Sequence, residues 1–313
     1  MSTKSAVSKE NSASLFTRIR RNKEIYFLLV FGLIWYIVFA YIPMYGLTLA
    51  FKTYKASLGI FGSPWTGLEN YVYVFKDPAF LNSVIRTLQI NVGRLVFQFP
   101  FPIILALMIN ELRVGRFKKV LQSVYTFPHF LSWIIVASIL TNVLGQTGLV
   151  NSFVRLVGGT PISFLGTPAY FQPLIYITEI WKSAGWSAII YMAAISGIDQ
   201  EQYEAAEIDG ASRFQRIRYI TFPGIQNTIT VMFILAVGNI MNAGFDQIFN
   251  ISNPATSKVA ETLDMYIYRV TFKSASDFSF SSAVSLFKSV INFTFLLAAD
   301  RVSKLFGGEG LFG

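Results

Sequence analysis

The residues best equipped for chemistry sit inside apolar stretches. Asn239, Asn242, Asp246 and Gln247 are spaced i, i+3, i+7 and i+8, which on one helix makes a single polar stripe, with Phe245 beside it. Amides and a carboxylate can bond hydroxyl groups, and an aromatic face can cover the apolar side of a ring. The stripe therefore suits a polyhydroxylated solute such as a sugar. It also suits hydrogen bonds that hold helices together. Asn91, Arg94 and Gln98 share a second face, and Pro100 and Pro102, which should kink the helix, follow it. Arg94 could meet a solute or a buried partner such as Asp246. Glu179 and Lys182, three residues apart, can pair on a third helix. Trp181 and Trp186 lie nearby and fit either ring stacking or the membrane interface. Lys288 reads as a snorkelling side chain, and Asp300 with Arg301 needs no functional reading. Other chemistries lack their groups. There is no cysteine and one histidine, His129, so cysteine nucleophiles and His-rich metal sites drop out. His129, after Pro128, reads as a hydrogen-bonded structural residue.

Membrane helices must position these groups. Of 313 residues, 53% are hydrophobic and 14% charged, against about 25% charged in a typical soluble domain. Mean hydropathy is +0.49. An ordinary water-soluble enzyme is excluded, and 30 Phe and 15 Tyr exclude disorder. A crossing helix needs about 20 apolar residues. Six stretches qualify: 25–49, 83–111, 119–144, 170–197, 225–249 and 281–305. The first follows a basic run (Arg18, Arg20, Arg21, Lys23). It is too long for a signal segment and lacks a small-x-small cleavage site, so it reads as a retained anchor.

Six spans put both termini on one side. With the N-terminus inside, the inner segments collect the basic residues of 1–24, then Arg113, Arg116, Lys118 and Lys119, then Arg213, Arg216 and Arg218, then Arg301 and Lys304. The outer segments hold fewer: Lys52, Lys55, Lys76, Arg155, Lys258, Arg269 and Lys273. The expectation is an all-α membrane protein with N-in, C-in topology. The net charge of +9 then belongs to the cytoplasmic face and not to nucleic-acid binding. The expected organisation is a cytoplasmic tail (1–24), a first helix (25–50), an external loop (51–80), a core (81–305) with a cytoplasmic loop (198–224), and a C-terminal tail (306–313). Residues 14–23 could form a basic interfacial helix.

The 198–224 loop carries its own local code. Asp199 can cap a short helix, with Glu201 and Glu204 near its positive end. Gly210 can supply the left-handed residue that ends it, and Ser212 can cap a second helix in which Phe214, Ile217 and Arg218 share a side. Pro223 is expected to stop the segment before the fifth span. Two small helices at a sharp angle, presenting Phe214, suit a groove on another protein, or else the membrane surface.

At these residues the sequence resembles the EAA loop of binding-protein-dependent ABC importer permeases. Glu204-Ala205-Ala206, three residues, Gly210, nine residues and Ile220-Thr221-Phe222-Pro223 match the pattern EAA-x3-G-x9-I-x-L-P, with Phe222 in place of Leu. Asp209-Gly210-Ala211 is similar to the family as well. The 67–71 element, the Pro128-containing span and the 242–247 run look like sugar-type permeases, most of all the branch that imports oligosaccharides or polysaccharide fragments.

The resemblance implies a type I ABC importer fold in a bacterial plasma membrane. It implies that Glu204, Ala205, Ala206, Asp209, Gly210, Ala211, Arg213, Phe214, Ile217, Ile220 and Pro223 couple to a cytoplasmic ATPase dimer. The other implied partners are a second homologous permease and an external solute-binding protein. ATP and Mg would be used by the ATPase, with no cofactor held here. The chain has no G-x-x-x-x-G-K-[ST] phosphate loop. Asn239, Asn242, Phe245, Asp246, Gln247, Arg94 and Trp181 are the expected path residues. The competing readings are a permease for another solute, an ion-coupled carrier, which would want an inverted repeat and broken helices, and a membrane enzyme, which would want clustered acids or histidines.

Overall fold

The computed structural model describes residues 22–112, 115–273, 277–305 and 310–311. Most of the two expected tails, the basic helix at 14–23 apart from its last two residues, and Arg113 lie outside them. Among the described residues the chain is helical, with one isolated bridge between Lys52 and Trp65.

Helix α1 (Lys23–Tyr36) begins a 29-residue apolar span, Lys23–Phe51, none of whose most apolar window is buried by the rest of the chain. Pro43 lacks an N–H, and its ring crowds the preceding turn. The helix widens into a π-type turn at Ile37–Tyr41 just before it. The segment after this span is then fixed by α2 (Glu69–Lys76), where Asn70 Nδ2 donates to the carbonyls of Ala50 and Lys52, both at 3.0 Å. Asp77 opens α3 (Pro78–Phe97) by accepting the Ala79 N–H at 2.8 Å. Its other carboxylate oxygen accepts the Tyr266 hydroxyl at 2.5 Å. Where the two prolines were expected to kink the helix, its hydrogen-bond ladder is interrupted, although Pro78–Asn110 remains one span. The N–H groups of Gln98 and Phe99 both return to the Arg94 carbonyl, and α4 (Pro100–Asn110) starts afresh.

The expected single span at 119–144 is two helices. Helix α5 (Arg116–Thr126) ends in a tight 3-10 turn at Phe127–Phe130, Leu131 and Ser132 are extended, and α6 (Trp133–Leu144) restarts under a Ser132 cap on Ile135 N–H. Pro128 removes a helix donor, and a serine placed to cap makes a restart cheaper than a kink. After a turn at 145–148, α7 (Leu149–Leu156) lies within what the sequence suggests is loop.

Helix α8 (Pro168–Ser196) is the central element. Its 29 residues pack against α4, α5 and α3, and it contributes the longest run of buried positions, among them Phe171, Ile175, Ala188 and Tyr191. Beyond it lie α9 (Gln200–Ile208) and α10 (Arg213–Arg216). The expected fifth span then breaks. Helix α11 (Gln226–Gly238) ends, residues 239–244 are irregular, and α12 (Phe245–Ile251) follows. After α13 (Leu263–Tyr268), α14 (Phe278–Leu305) closes the bundle against α11 and residues 45–51.

Among the described residues, four helical stretches are long and apolar enough to cross a membrane: Lys23–Phe51, Pro78–Asn110, Trp133–Leu156 and Phe278–Leu305. A fifth counts if the bent pair Arg213–Gly224 and Gln226–Gly238 is one span. The six expected spans are thus not all matched. Helix α8, where the fourth was expected, has the length without the apolarity.

Candidate functional site

The break after α11 builds the first site. Irregular backbone at membrane depth persists only where its polar groups find partners or face a cavity. Both conditions hold. Asn91 Nδ2 donates to the Ile240 carbonyl at 2.7 Å, Asn292 Oδ1 accepts the Met241 N–H at 2.9 Å, and the Asn242 N–H returns to the Asn239 carbonyl at 2.8 Å. The polar residues of 239–247 therefore do not form one helical stripe. Asn239 and Asn242 line a cavity of about 230 Å³, bonded to each other through Asn242 Nδ2 and Asn239 Oδ1 at 2.8 Å. Asn91 and Arg94 of α3, with Gln98 just past its end, form a second wall, and Ser183, Ser187 and Tyr191 of α8 a third.

Gln247 turns away from that cavity and is almost fully buried. It accepts from Arg94 Nη2 at 2.5 Å and donates to the Ile175 carbonyl at 2.8 Å and to Thr178 Oγ1 at 3.0 Å. Arg94 is thus tied to Gln247 and not to Asp246. Asp246 is exposed on α12. Phe245 stacks on Phe249 with ring centres 5.2 Å apart and leans on Tyr268, so it belongs to an aromatic cluster outside the cavity. Trp181 is half exposed and does not line the cavity.

The Glu179–Lys182 pair does not form. Lys182 Nζ donates to the His129 carbonyl at 2.8 Å and lies over the Trp133 ring, while Glu179 accepts the Ser183 hydroxyl at 2.6 Å. The His129 ring stacks on Trp186, centres 4.7 Å apart. Lys288 does not snorkel freely but pairs with Asp264.

Sequence reasoning missed Ser183, Ser187 and Tyr191. Their i, i+4, i+8 spacing on α8 is the signal that could have found them. It also missed the role of Gly244, whose φ is +73° and whose absent side chain leaves the space that Arg94 occupies. A Cβ there would sit 3.2 Å from both terminal guanidinium nitrogens. Gly244→Ala should therefore strain the turn and push Arg94 from the cavity wall. The expected outcome is a protein destabilised by about 1–2 kcal/mol, the cost of a non-glycine residue in this region, read as a lower unfolding temperature at matched expression.

The second site is the 198–224 loop, and its local code is realised. Asp199 caps α9 through Glu201 N–H at 3.0 Å. Gly210 adopts φ +76°. The Ala211 N–H reaches back to the Ala206 carbonyl at 2.9 Å, and the Gly210 N–H to the Glu207 carbonyl at 3.1 Å. Ser212 and Gln215 form a capping box on α10. Arg216 Nη1 and Glu207 Oε2, 3.2 Å apart, brace the elbow, and the Tyr203 and Thr221 hydroxyls meet at 2.9 Å. Ile208, 87% exposed, and Phe214, 69% exposed, project from its two arms, while Ile217 and Ile220 are half-buried. The helical stretch Arg213–Gly224 ends one residue past Pro223, as expected; a π-type turn at Ile217–Thr221 precedes the proline, and the chain bends by 59° next to Ile225.

The chain thus combines interrupted helices, a cavity walled by hydrogen-bonding side chains and a protruding helical elbow, and comparison with known proteins shows which family this is. Residues 98–307 match the family described as "Binding-protein-dependent transport system inner membrane component". The chain belongs to this family. Among its members, the "Polygalacturonan/rhamnogalacturonan transport system permease protein YteP" of Bacillus subtilis (strain 168) is 39% identical, over 97% of this chain and 95% of that protein. "Protein LplB" of the same organism is 40% identical, over 96% and 94%. A solved structure, "Crystal structure of bacterial alginate ABC transporter in complex with alginate pentasaccharide-bound periplasmic protein", superposes with a TM-score of 0.84 at 34% identity, covering 95% of this chain and 99% of that one. The fold is therefore that of a binding-protein-dependent permease. The loop at 198–224 and the cavity both lie within or at the edge of the matched stretch, Asn91 and Arg94 just before it.

Proposed function

We propose that this chain forms half of the translocation path of an ATP-driven importer for oligosaccharides or polysaccharide fragments. The carrying observation is the cavity, where neutral hydrogen-bonding side chains (Asn91, Gln98, Ser183, Ser187, Asn239, Asn242) converge at an interrupted helix. Such a surface exchanges water for sugar hydroxyls without binding any one of them tightly. The polygalacturonan/rhamnogalacturonan permease and the alginate transporter described above support the same class.

In this reading a second homologous permease completes the path, and α1, which the rest of the chain leaves uncovered, faces lipid or that partner. An external binding protein delivers the sugar. A cytoplasmic ATPase dimer receives the elbow of α9 and α10, with Glu204, Ala205, Ala206, Asp209, Gly210, Ala211, Arg213, Phe214, Ile217, Ile220 and Pro223 forming or supporting the docking surface. ATP and Mg belong to that dimer. The chain crosses six times, with α8 as the sheltered crossing and both termini in the cytoplasm, as the distribution of basic residues favours.

The test is sugar uptake by the assembled complex carrying Asn242→Leu or Asp246→Leu. Asn242→Leu, on the cavity wall, is expected to slow initial uptake about threefold to tenfold, the value of one or two hydrogen bonds. Asp246→Leu, off the cavity, is expected to change it less than twofold. Equal rates for wild type and Asn242→Leu at equal complex yield would remove the cavity from the path.

A further inference from the structure

Arg94 carries a permanent charge into a cavity of otherwise neutral groups. Its hydrogen bonds go to two amides, Gln247 Oε1 at 2.5 Å and Asn91 Oδ1 at 3.5 Å. Its Nε is buried without a partner, as is Gln98 Oε1 one turn along α3. Glu179 is the carboxylate whose field reaches it, but that group accepts the Ser183 hydroxyl, and no ion pair joins Arg94 to a carboxylate among the described residues. Lys182 is a second buried cation nearby, held by a carbonyl and an indole ring. The local balance of Arg94, Lys182 and Glu179 is positive.

A purely structural arginine inside a membrane would be expected to carry a counter-ion, because an uncompensated charge is costly there. This one is instead kept at a cavity wall, in space that Gly244 leaves open. A second basic cleft lies nearer the start of the same helix. Arg86, Lys258 and Arg269 line it, with Glu261 already paired to Arg269 at 2.7 Å. Arg86 precedes Arg94 by about 12 Å of helix.

We infer that the cavity takes carboxylated sugars, the Arg94 guanidinium pairing with the carboxylate of a uronic-acid unit in transit while Gln98 Oε1 accepts a hydroxyl. The inference rests on the oligosaccharide reading above and specifies its substrate class. A guanidinium matches a carboxylate in charge and geometry, and its single charge holds one unit without trapping the chain.

The experiment uses the full complex in proteoliposomes, with binding protein saturated by either a galacturonate trisaccharide or its carboxyl-reduced, neutral counterpart. The readout is the ratio of initial uptake rates, acidic over neutral. Arg94→Gln should lower that ratio about tenfold or more, and Arg94→Lys, which keeps the charge, by less. Arg94 also ties α3 to α12, so Asn242→Asp serves as a second variant. It places a carboxylate in the same cavity with Arg94 intact, and should lower the ratio as well. A wild-type ratio in both Arg94→Gln and Asn242→Asp overturns the inference. If Arg94→Gln does not assemble, the ratio in Asn242→Asp decides alone. Wild-type complex that imports neither sugar overturns the oligosaccharide reading itself, a result distinct from import of both with an unmoved ratio.

Discussion

Gly210→Pro is expected to uncouple the complex: the ATPase is lost from purified permease, and ATP-driven uptake falls by more than about a hundredfold. The reasoning is local. Helix α9 ends in a Schellman arrangement, with Ala211 N–H on the Ala206 carbonyl and Gly210 N–H on the Glu207 carbonyl. That arrangement needs the φ of +76° at Gly210. Proline is locked near −65° and has no N–H, so it loses both the turn and one of its bonds, at about 3 kcal/mol or more. Without the turn, the Arg216–Glu207 brace cannot span the elbow, and the exposed Ile208 and Phe214 no longer present one surface. Affinity purification in mild detergent, with mass spectrometry of the co-purified chains, reads the result. Gly210→Ala is the milder control, because it keeps the N–H and pays only the left-handed penalty of about 1–2 kcal/mol. Undiminished ATPase recovery with Gly210→Pro would show that the elbow is not the docking element.

The elbow was legible in the sequence because every rule that makes it is local. A capping aspartate, a glycine at the helix end and a capping serine all lie within positions 199–212. The cavity was legible in its membership and not in its geometry. Reading 225–249 as one periodic helix assigned Asn239 to Gln247 a common face. The turn-forming run Asn242-Ala243-Gly244 was in view, but whether a turn can exist at membrane depth depends on distant donors and acceptors. Asn91 on α3 and Asn292 on α14 supply them here. The partner of Arg94 failed for a related reason. Charge favours Asp246, yet breaking the helix rotates Gln247 inward and Asp246 outward. Pro128 posed the same ambiguity between kink and break, settled by the extended Leu131–Ser132 pair that no local rule enforces. Helix α8 shows the opposite case. Its sequence qualified as a crossing, whereas the structure gives it the length without the apolarity, and more buried positions than any other described helix.

The same crowding makes Gly185 the position least able to accept a side chain. A Cβ built there would lie 2.0 Å from the backbone oxygen of Tyr125 and 2.6 Å from its carbonyl carbon. Helices α8 and α5 therefore cross with backbone against backbone, the close approach that small residues allow in membrane bundles. The obstacle is main chain, so no rotamer change relieves it, and α5 must move as a body. One turn earlier, Lys182 depends on the chain that continues from α5, since its ammonium is held by the His129 carbonyl. Displacing α5 would break that bond and leave a buried cation unsatisfied. Gly185→Leu thus combines overpacking, about 1–3 kcal/mol, with loss of a bond to a charged group, about 1.5–3 kcal/mol. The expected result is a permease that reaches the membrane poorly and whose detergent-solubilised fraction aggregates at a temperature several degrees lower than wild type. Gly197→Ala provides the comparison. Its Cβ would meet its nearest neighbour at 3.4 Å, an ordinary contact, and should shift stability by less than about 0.5 kcal/mol. Thermal scans of both variants by fluorescence size-exclusion check the contrast, and equal stability would mean that the α5–α8 crossing is looser than its backbone contact implies.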